Sequence, residues 1–417
     1  MRVNNMQNAI IAALLAGGAI IVPAPAAAQT IAATRGITVK PIIDARLRYE
    51  HVEQEGLARD ADAVTARLRA GVELSSGSWS LLAEGETTLA ISKRYNSGLN
   101  GRTQFPIVAD PENVELNRFQ IQYRGLRGAV VTAGRQRINL DDQRFVGSSG
   151  WRDNEQTFDA VRVEYGGLGG FKAEMTYAWS DRTIWGIDGV GARPRSIGGD
   201  NLFANLGHST PYGTLTGFAY LVDQNEASVF GFRLSSQTYG VRFAGSRKLS
   251  ANATLTYAAS YARQSDYHRN PNDYSATYLA LEAGLDLAAI KLRAGYELLG
   301  AADGRPLTSF QTPLATLHKF QGWADKFLTT PPDGVRDLYA GAGYGWKKVA
   351  GLDAVNAEVT YHRFASDRLS IAYGSEWDAA ISAKRGRWTA TAKLADYRAD
   401  RFATDTRKFW LQLEWAY

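Results

Sequence analysis

The feature that most limits what this chain can fold into is a strict two-residue alternation at its carboxy-terminal end. In residues 406–417, Phe409, Leu411, Leu413, Trp415 and Tyr417 fall on one face of an extended chain and Lys408, Gln412 and Glu414 on the other. A period of two is the signature of a β-strand with one apolar and one polar side. One such strand would suit a soluble sandwich. Here segment after segment repeats the pattern, and a closed barrel is the only sheet whose backbone groups are all satisfied inside a bilayer.

Alternating segments occur at 39–49, 64–74, 78–89, 114–123, 128–137, 157–165, 171–179, 202–206, 212–222, 238–246, 253–263, 276–287, 290–299, 338–346, 354–364, 377–384 and 388–397, besides the last. The joints between them also alternate. Asn- and Gly-rich or charged stretches (52–63, 90–113, 138–154) take turns with tight joints such as Ser75-Ser76-Gly77 and Gly166-Gly167-Leu168. The expected fold is therefore all-β: a transmembrane antiparallel β-barrel of about 18 strands, with short periplasmic turns and long extracellular loops. Aromatics agree with it. Trp79, Phe171 and Trp388 open upward strands and Tyr123, Tyr165 and Tyr417 close downward ones, which puts all six on the periplasmic rim.

The amino terminus supplies an address. Arg2 is the only charge before position 35, residues 9–22 form an apolar core, and Ala26-Ala27-Ala28 precede Gln29 as a small-residue cleavage site. Residues 1–28 read as a secretory signal peptide and 29–417 as the barrel, placed in the outer membrane of a Gram-negative bacterium. A mean hydropathy of −0.27 excludes a bundle of membrane helices. With no cysteine there is no lipid-anchor thiol and no thiolate metal site.

Alternation also assigns the lumen. On the first two strands Arg46, Arg48, Arg67 and Arg69 lie opposite the lipid-facing Leu47, Tyr49, Leu68 and Val72. Arg118, Arg135, Arg137 and Arg162 extend the set, and Glu84 and Glu86 on the third strand oppose it. Arginine stays charged and binds carboxylate or phosphate bidentately, so such a ladder favours anionic permeants. The alternative is that inward Arg and Glu on neighbouring strands pair with each other and merely hold the wall.

Two loops carry too much apolar content for idle surface loops. One contains Gly134-Arg135-Gln136, Arg144-Phe145-Val146-Gly147, Trp151 and Thr157-Phe158-Asp159. The other contains His318-Lys319-Phe320-Gln321-Gly322-Trp323-Ala324-Asp325-Lys326-Phe327, Pro331-Pro332-Asp333-Gly334 and Asp337. In these residues the chain resembles the alginate export family of outer-membrane β-barrel proteins. The resemblance implies an 18-stranded barrel with an electropositive pore, through which founding members pass the polyuronate alginate outward. From the residues themselves, 138–154 is expected to fold into the lumen as a constriction. Asp141, Asp142, Arg144, Trp151, Arg152 and Asp153 crowd it, with Phe145 and Trp151 as anchors and Arg144 and Arg152 meeting solute. Folding over the rim is the alternative. The stretch 300–335 exceeds an ordinary loop and reads as a lid or partial plug, or else as an extracellular cap.

Catalysis finds no support, because the five histidines lie on separate strands or loops without a nucleophile motif. No spacing suggests a metal site or a cofactor, and no basic cluster interleaved with aromatics suggests nucleic acid. The expected function is a passive outer-membrane channel favouring anionic solutes such as uronate-containing saccharides or small carboxylates. Its other partners are outer-membrane lipids and the insertion machinery that reads the terminal aromatic. A general unspecific porin, or a non-transport envelope barrel such as an adhesin, is the alternative.

Overall fold

The computed structural model describes residues 31–34, 36–225 and 232–417, so the expected signal peptide lies outside the described residues. Eighteen strands, from Ile37–Gln54 to Thr406–Ala416, hydrogen-bond in chain order as one antiparallel sheet. The last pairs with the first, Thr406 opposite Gln54 and Ala416 opposite Asp44, and closes the barrel. All eighteen expected segments are strands. A further short strand, Ile31–Thr34, folds back on the first. Two 3-10 turns, Phe232–Leu234 and Leu317–Lys319, are the only helical pieces among the described residues.

Every second connection is a two-residue turn, eight in all: 77–78, 127–128, 169–170, 211–212, 251–252, 288–289, 350–351 and 386–387. A two-residue hairpin that follows the strand twist needs positive φ. Gly77 (φ 55°) and Gly386 (φ 57°) provide it at no steric cost, and Ala288 (φ 54°) is forced into it. The connections at the opposite rim are longer. They include 95–112, 137–156 and 300–334.

Outside, the wall is apolar. Leu47, Leu68, Leu89, Phe119, Leu215 and Leu338 are exposed on the outer face, where hydrocarbon replaces water as their solvent. Trp79 and Trp388 sit beside the two-residue turns, and the Trp79 ring lies 4.4 Å from Tyr123. The first three strands are 16 to 18 residues long, more than the roughly ten needed to cross hydrocarbon. Their surplus rises beyond the apolar band on the long-loop side, and its outward side chains become charged.

The apolar core is inside the barrel. Phe203, Phe218, Tyr220, Tyr278, Phe364 and Trp410 project from strands into the lumen, where Ile138, Leu140, Val146, Phe310, Leu314 and Phe327 from the loops cover them. Phe218 on the ninth strand (Gly213–Val222) lies over the facing Gly240, where a Cβ would sit 2.3 Å from the ring. The missing side chain makes room for the aromatic to lie flat on the wall.

Candidate functional site

The segment 137–156 crosses the lumen. At one end the Phe145 ring packs 5.1 Å from Phe218, 5.1 Å from Tyr278 and 5.9 Å from Phe310. At the other, the Trp151 carbonyl accepts hydrogen bonds from Arg46 (2.8 Å) and Arg48 (2.6 Å), and the Arg48 guanidinium lies 4.2 Å over the Trp151 ring.

This contact decides the state of the arginine ladder. Arg46, Arg48, Arg67 and Arg69 do face the lumen, but all four are buried and paired. Arg46 bonds Glu414 and Asp153, and Arg48 bonds Asp110 and Gln412. Arg67 pairs with Asp44, and Arg69 with Glu86 and Glu155. Glu84 accepts from Arg118 (2.8 Å) and Arg137 (3.3 Å), while Arg162 bonds Glu174 (2.8 Å). Neighbouring strands supply some of these carboxylates. The crossing loop supplies Asp153 and Glu155, and the 95–112 loop supplies Asp110. Burial alone would push the Asp153 carboxyl up, but Arg48, Arg46 and Arg67 outweigh it and hold it at about 2. Burial is likewise outweighed at Glu155 by Arg69 and Arg137, again at about 2. The ladder is thus the socket into which the loop is plugged by ion pairs, not a free positive surface.

Three placements correct the sequence reading. Arg135 is on the outer face, opposite the outward Phe119, and pairs with Asp159 at 2.8 Å. The cause is local. The fifth strand ends at Gln136, and beyond it the chain turns inward, so that Arg137 points to Glu84 and Glu155 while Arg135 keeps the outward parity. Arg144 does not meet solute: it is 1% exposed, bonded to Glu297 (2.6 Å) and Thr312 (2.9 Å). Arg152 is also buried, on Asp325 at 2.9 Å. Asp142 pairs with Arg242 at 2.9 Å, and Asp141 accepts from Asn205 at 3.2 Å.

The loop 300–334 also enters the lumen and meets the first. The Trp151 and His318 rings stack at 4.8 Å, nearly parallel at 10°. Asp325 gathers three donors: His318 Nδ1 (2.8 Å), Arg152 (2.9 Å) and Lys408 Nζ (2.8 Å). Burial would raise its carboxyl, but Lys408, His318 and Arg152 hold it well below the usual carboxylate range. His318 Nε2 lies 2.9 Å from Lys393 Nζ. With Nδ1 donating to Asp325 and Nε2 accepting from the lysine, the ring is neutral. Its pKa is accordingly well below the ordinary imidazole value, chiefly through burial. Three tryptophans enclose Lys393 Nζ: Trp323 at 3.8 Å, Trp151 at 3.9 Å and Trp410 at 5.1 Å. Backbone N–H groups of Trp323 and Ala324 donate to Asp378 (3.2 Å) and Glu376 (2.7 Å) on the wall.

Open space is left on the other side, against strands ten to sixteen. A cavity of about 490 Å³ lies between the loop tips and Arg242, Glu282, Arg293, Tyr339 and Glu358. A second, of about 690 Å³, shares Glu282, Arg293 and Glu358 with it and continues toward the two-residue turns past Lys291, Lys347 and Ser382. Six lysines and arginines and seven carboxylates line the two together, so no sign of charge dominates. Gly341 and Gly343 face this space, and a Cβ on Gly341 would sit 3.1 Å from Arg293 Nε, so the glycine lets that guanidinium lie flat on the wall.

Residues 39–201 match the family model described as Alginate export. That span runs from the first strand into the eighth and contains the arginine ladder and the whole crossing loop. No curated protein matches the chain. Among solved structures, Pseudomonas aeruginosa OpdK, crystallised with vanillate, is similar with a TM-score of 0.67 at 10% identity, covering 91% of this chain and 98% of that one. Acinetobacter baumannii OccAB3 is similar with a TM-score of 0.66 at 11% identity, covering 91% and 99% respectively. Pseudomonas aeruginosa OpdL has the same TM-score, 0.66, at 14% identity, covering 91% and 98%. The chain shares the fold of these structures, a closed antiparallel β-barrel of eighteen strands. Within the alginate-export match, sequence reasoning read 90–113 only as a loop and missed that it is buried and brings Asp110 to Arg48, although Tyr95, Phe105 and Val108 are apolar enough to mark a buried segment. It also missed the open wall itself, because Arg242, Glu282, Arg293 and Glu358 are single charges on separate strands, and only barrel closure brings them together.

Proposed function

We propose that the protein is a passive, weakly selective outer-membrane channel for small polar solutes. One observation carries this reading: the space beside the inserted loops is lined by nearly equal numbers of basic and acidic groups, while the arginines of the first two strands are occupied by loop carboxylates. A balanced lining admits solutes of either sign and concentrates neither. The segments 137–156 and 300–334 act as the constriction, narrowing the lumen to its far wall. The test is a reversal potential under a salt gradient in planar bilayers. A value near zero supports the reading, and a potential approaching the Nernst limit for either ion overturns it.

A preference for uronate-bearing saccharides is the second reading, favoured by Arg242, Arg293 and Lys319 on the upper cavity beside the Phe320, Trp323 and Tyr339 rings. Guanidinium groups grip a carboxylate, and aromatic faces suit the apolar face of a sugar ring. Glucuronate oligomers should then block the current at concentrations where neutral maltooligosaccharides do not, and replacing the three cations by Gln should abolish the difference. Equal block by both leaves the weakly selective channel.

A further inference from the structure

The outer face of the barrel carries a belt of charge above its apolar band. It spans five neighbouring strands at their long-loop ends. From the seventeenth strand, Arg398 pairs with Asp396 (3.0 Å), and Asp396 with Arg407 on the eighteenth (3.8 Å). Arg407 reaches Glu53 on the first strand (3.4 Å), which bonds His51 (3.3 Å). His51 bonds Asp62 on the second (2.9 Å), and Asp62 pairs with Arg94 on the third (3.4 Å). Register fixes the direction these groups face, since His51 lies opposite Phe409 and shares the outward parity of Leu47 and Tyr49. Charges on the outer wall are tolerated only where hydrocarbon gives way to headgroups, so the belt marks that level.

The two ends of the belt differ. Near the eighteenth strand an external cavity of about 350 Å³ is lined by five carboxylates and two arginines. Near the third strand a cavity of about 510 Å³ is lined by Arg59, Arg94 and Arg102 against Asp60 and Asp62. Only the second has cations to spare. The Arg94 side chain is 71% exposed and, among the described residues, has a single carboxylate contact. Arg59 lies 5.7 Å over the Phe105 ring, Arg102 donates to the Lys93 carbonyl, and neither has an ion-pair partner among the described residues. We propose that the Arg59, Arg94 and Arg102 pocket binds a phosphate of an outer-leaflet glycolipid headgroup, fixing one lipid against the first three strands. Guanidinium forks match phosphate oxygens bidentately. The neighbouring Tyr49 and Phe409, with rings 6.5 Å apart, offer the interfacial aromatic surface below it.

The test is native mass spectrometry of the full-length barrel in detergent with bisphosphorylated lipid A. Wild type should retain one lipid at least ten times better than the variant Arg59→Gln/Arg94→Gln/Arg102→Gln. Arg398→Gln/Arg407→Gln, in the acidic cavity, should match wild type. Lipid A stripped of both phosphates should be lost from the unmutated protein, a comparison that does not depend on any variant folding. Equal retention by wild type and the triple variant overturns the proposal, as does equal loss in both variants. Complete displacement by millimolar inorganic phosphate overturns it too, because the site would then be a free-phosphate site.

Discussion

Asp325→Asn removes one charge from the point where both inserted loops meet the wall. It leaves Arg152 and Lys408 buried, and neither has another carboxylate within ion-pair distance among the described residues. Breaking a buried pair by deleting one partner costs about 3–5 kcal/mol. None of the strand ladders involves Asp325, so the loss falls on loop docking and leaves barrel closure intact. Since about 1.4 kcal/mol is a factor of ten, the docked-to-undocked ratio should fall by about two to three and a half orders of magnitude. In planar bilayers the variant should show a larger and noisier single-channel conductance than the native barrel. Trypsin should cut at Lys319 and Lys326, while the folded, heat-modifiable band persists on electrophoresis. Unchanged conductance together with unchanged resistance at those lysines refutes the reasoning, because the loop would then be held without its ionic anchor.

Acid should loosen the same contact. His318 is neutral when docked, with its pKa depressed, whereas an undocked imidazole takes a proton below about pH 6.5. The stabilisation is therefore full above about 6.5 and falls by about 1.4 kcal/mol per unit as pH drops below it. Asp325, Asp153 and Glu155 are also depressed, but as carboxylates they keep their contribution until pH falls through the ordinary carboxylate range, for Asp153 and Glu155 toward about 2. Conductance should rise between pH 6.5 and 5 in wild type and stay flat in His318→Gln; a flat wild-type profile contradicts the assignment. Leu413→Arg puts charge against lipid, at about 2–4 kcal/mol near midplane, and should depress the folded yield. Gln412→Glu should not, because a carboxylate can still accept the two bonds that Arg48 makes to the Gln412 side chain; equal yields would contradict the facing. Removing 415–417 deletes the Trp415 to Ala45 pairing and the bond from Tyr417 N to Ile43 O, and should block insertion as read by heat-modifiability in outer-membrane fractions.

The wall was legible in the sequence because alternation is a local property: each strand declares its two faces without knowing its neighbours. The filled lumen was harder to read. Phe218, Tyr220 and Val222 belong to an almost unbroken apolar run, and alternation alone does not say that the inward half is covered by Phe145. The arginines show the same limit. Position on a strand put Arg48 in the lumen, but its charge balance depends on Asp110, 62 residues away, and on Asp153, further still. Arg135 fails for the opposite reason: shared parity gives it the facing of Arg137, which lies past the strand end where the chain turns inward, while Arg135 itself stays on the strand and faces out.

The uniform two-residue turns bear on how the barrel assembles. Seventeen of its ladders join strands adjacent in sequence, and the eight closed by two-residue turns can form as soon as their own residues are available, at little loop-closure cost. The seam is different: Thr406 and Gln54 are brought together across nearly the whole chain. Until it forms, the molecule is a curled open sheet with two unpaired edges, both ready to accept a foreign strand. Such a chain needs shelter for the short time before closure more than help in folding any one part. Its slowest step should be the meeting of its two ends.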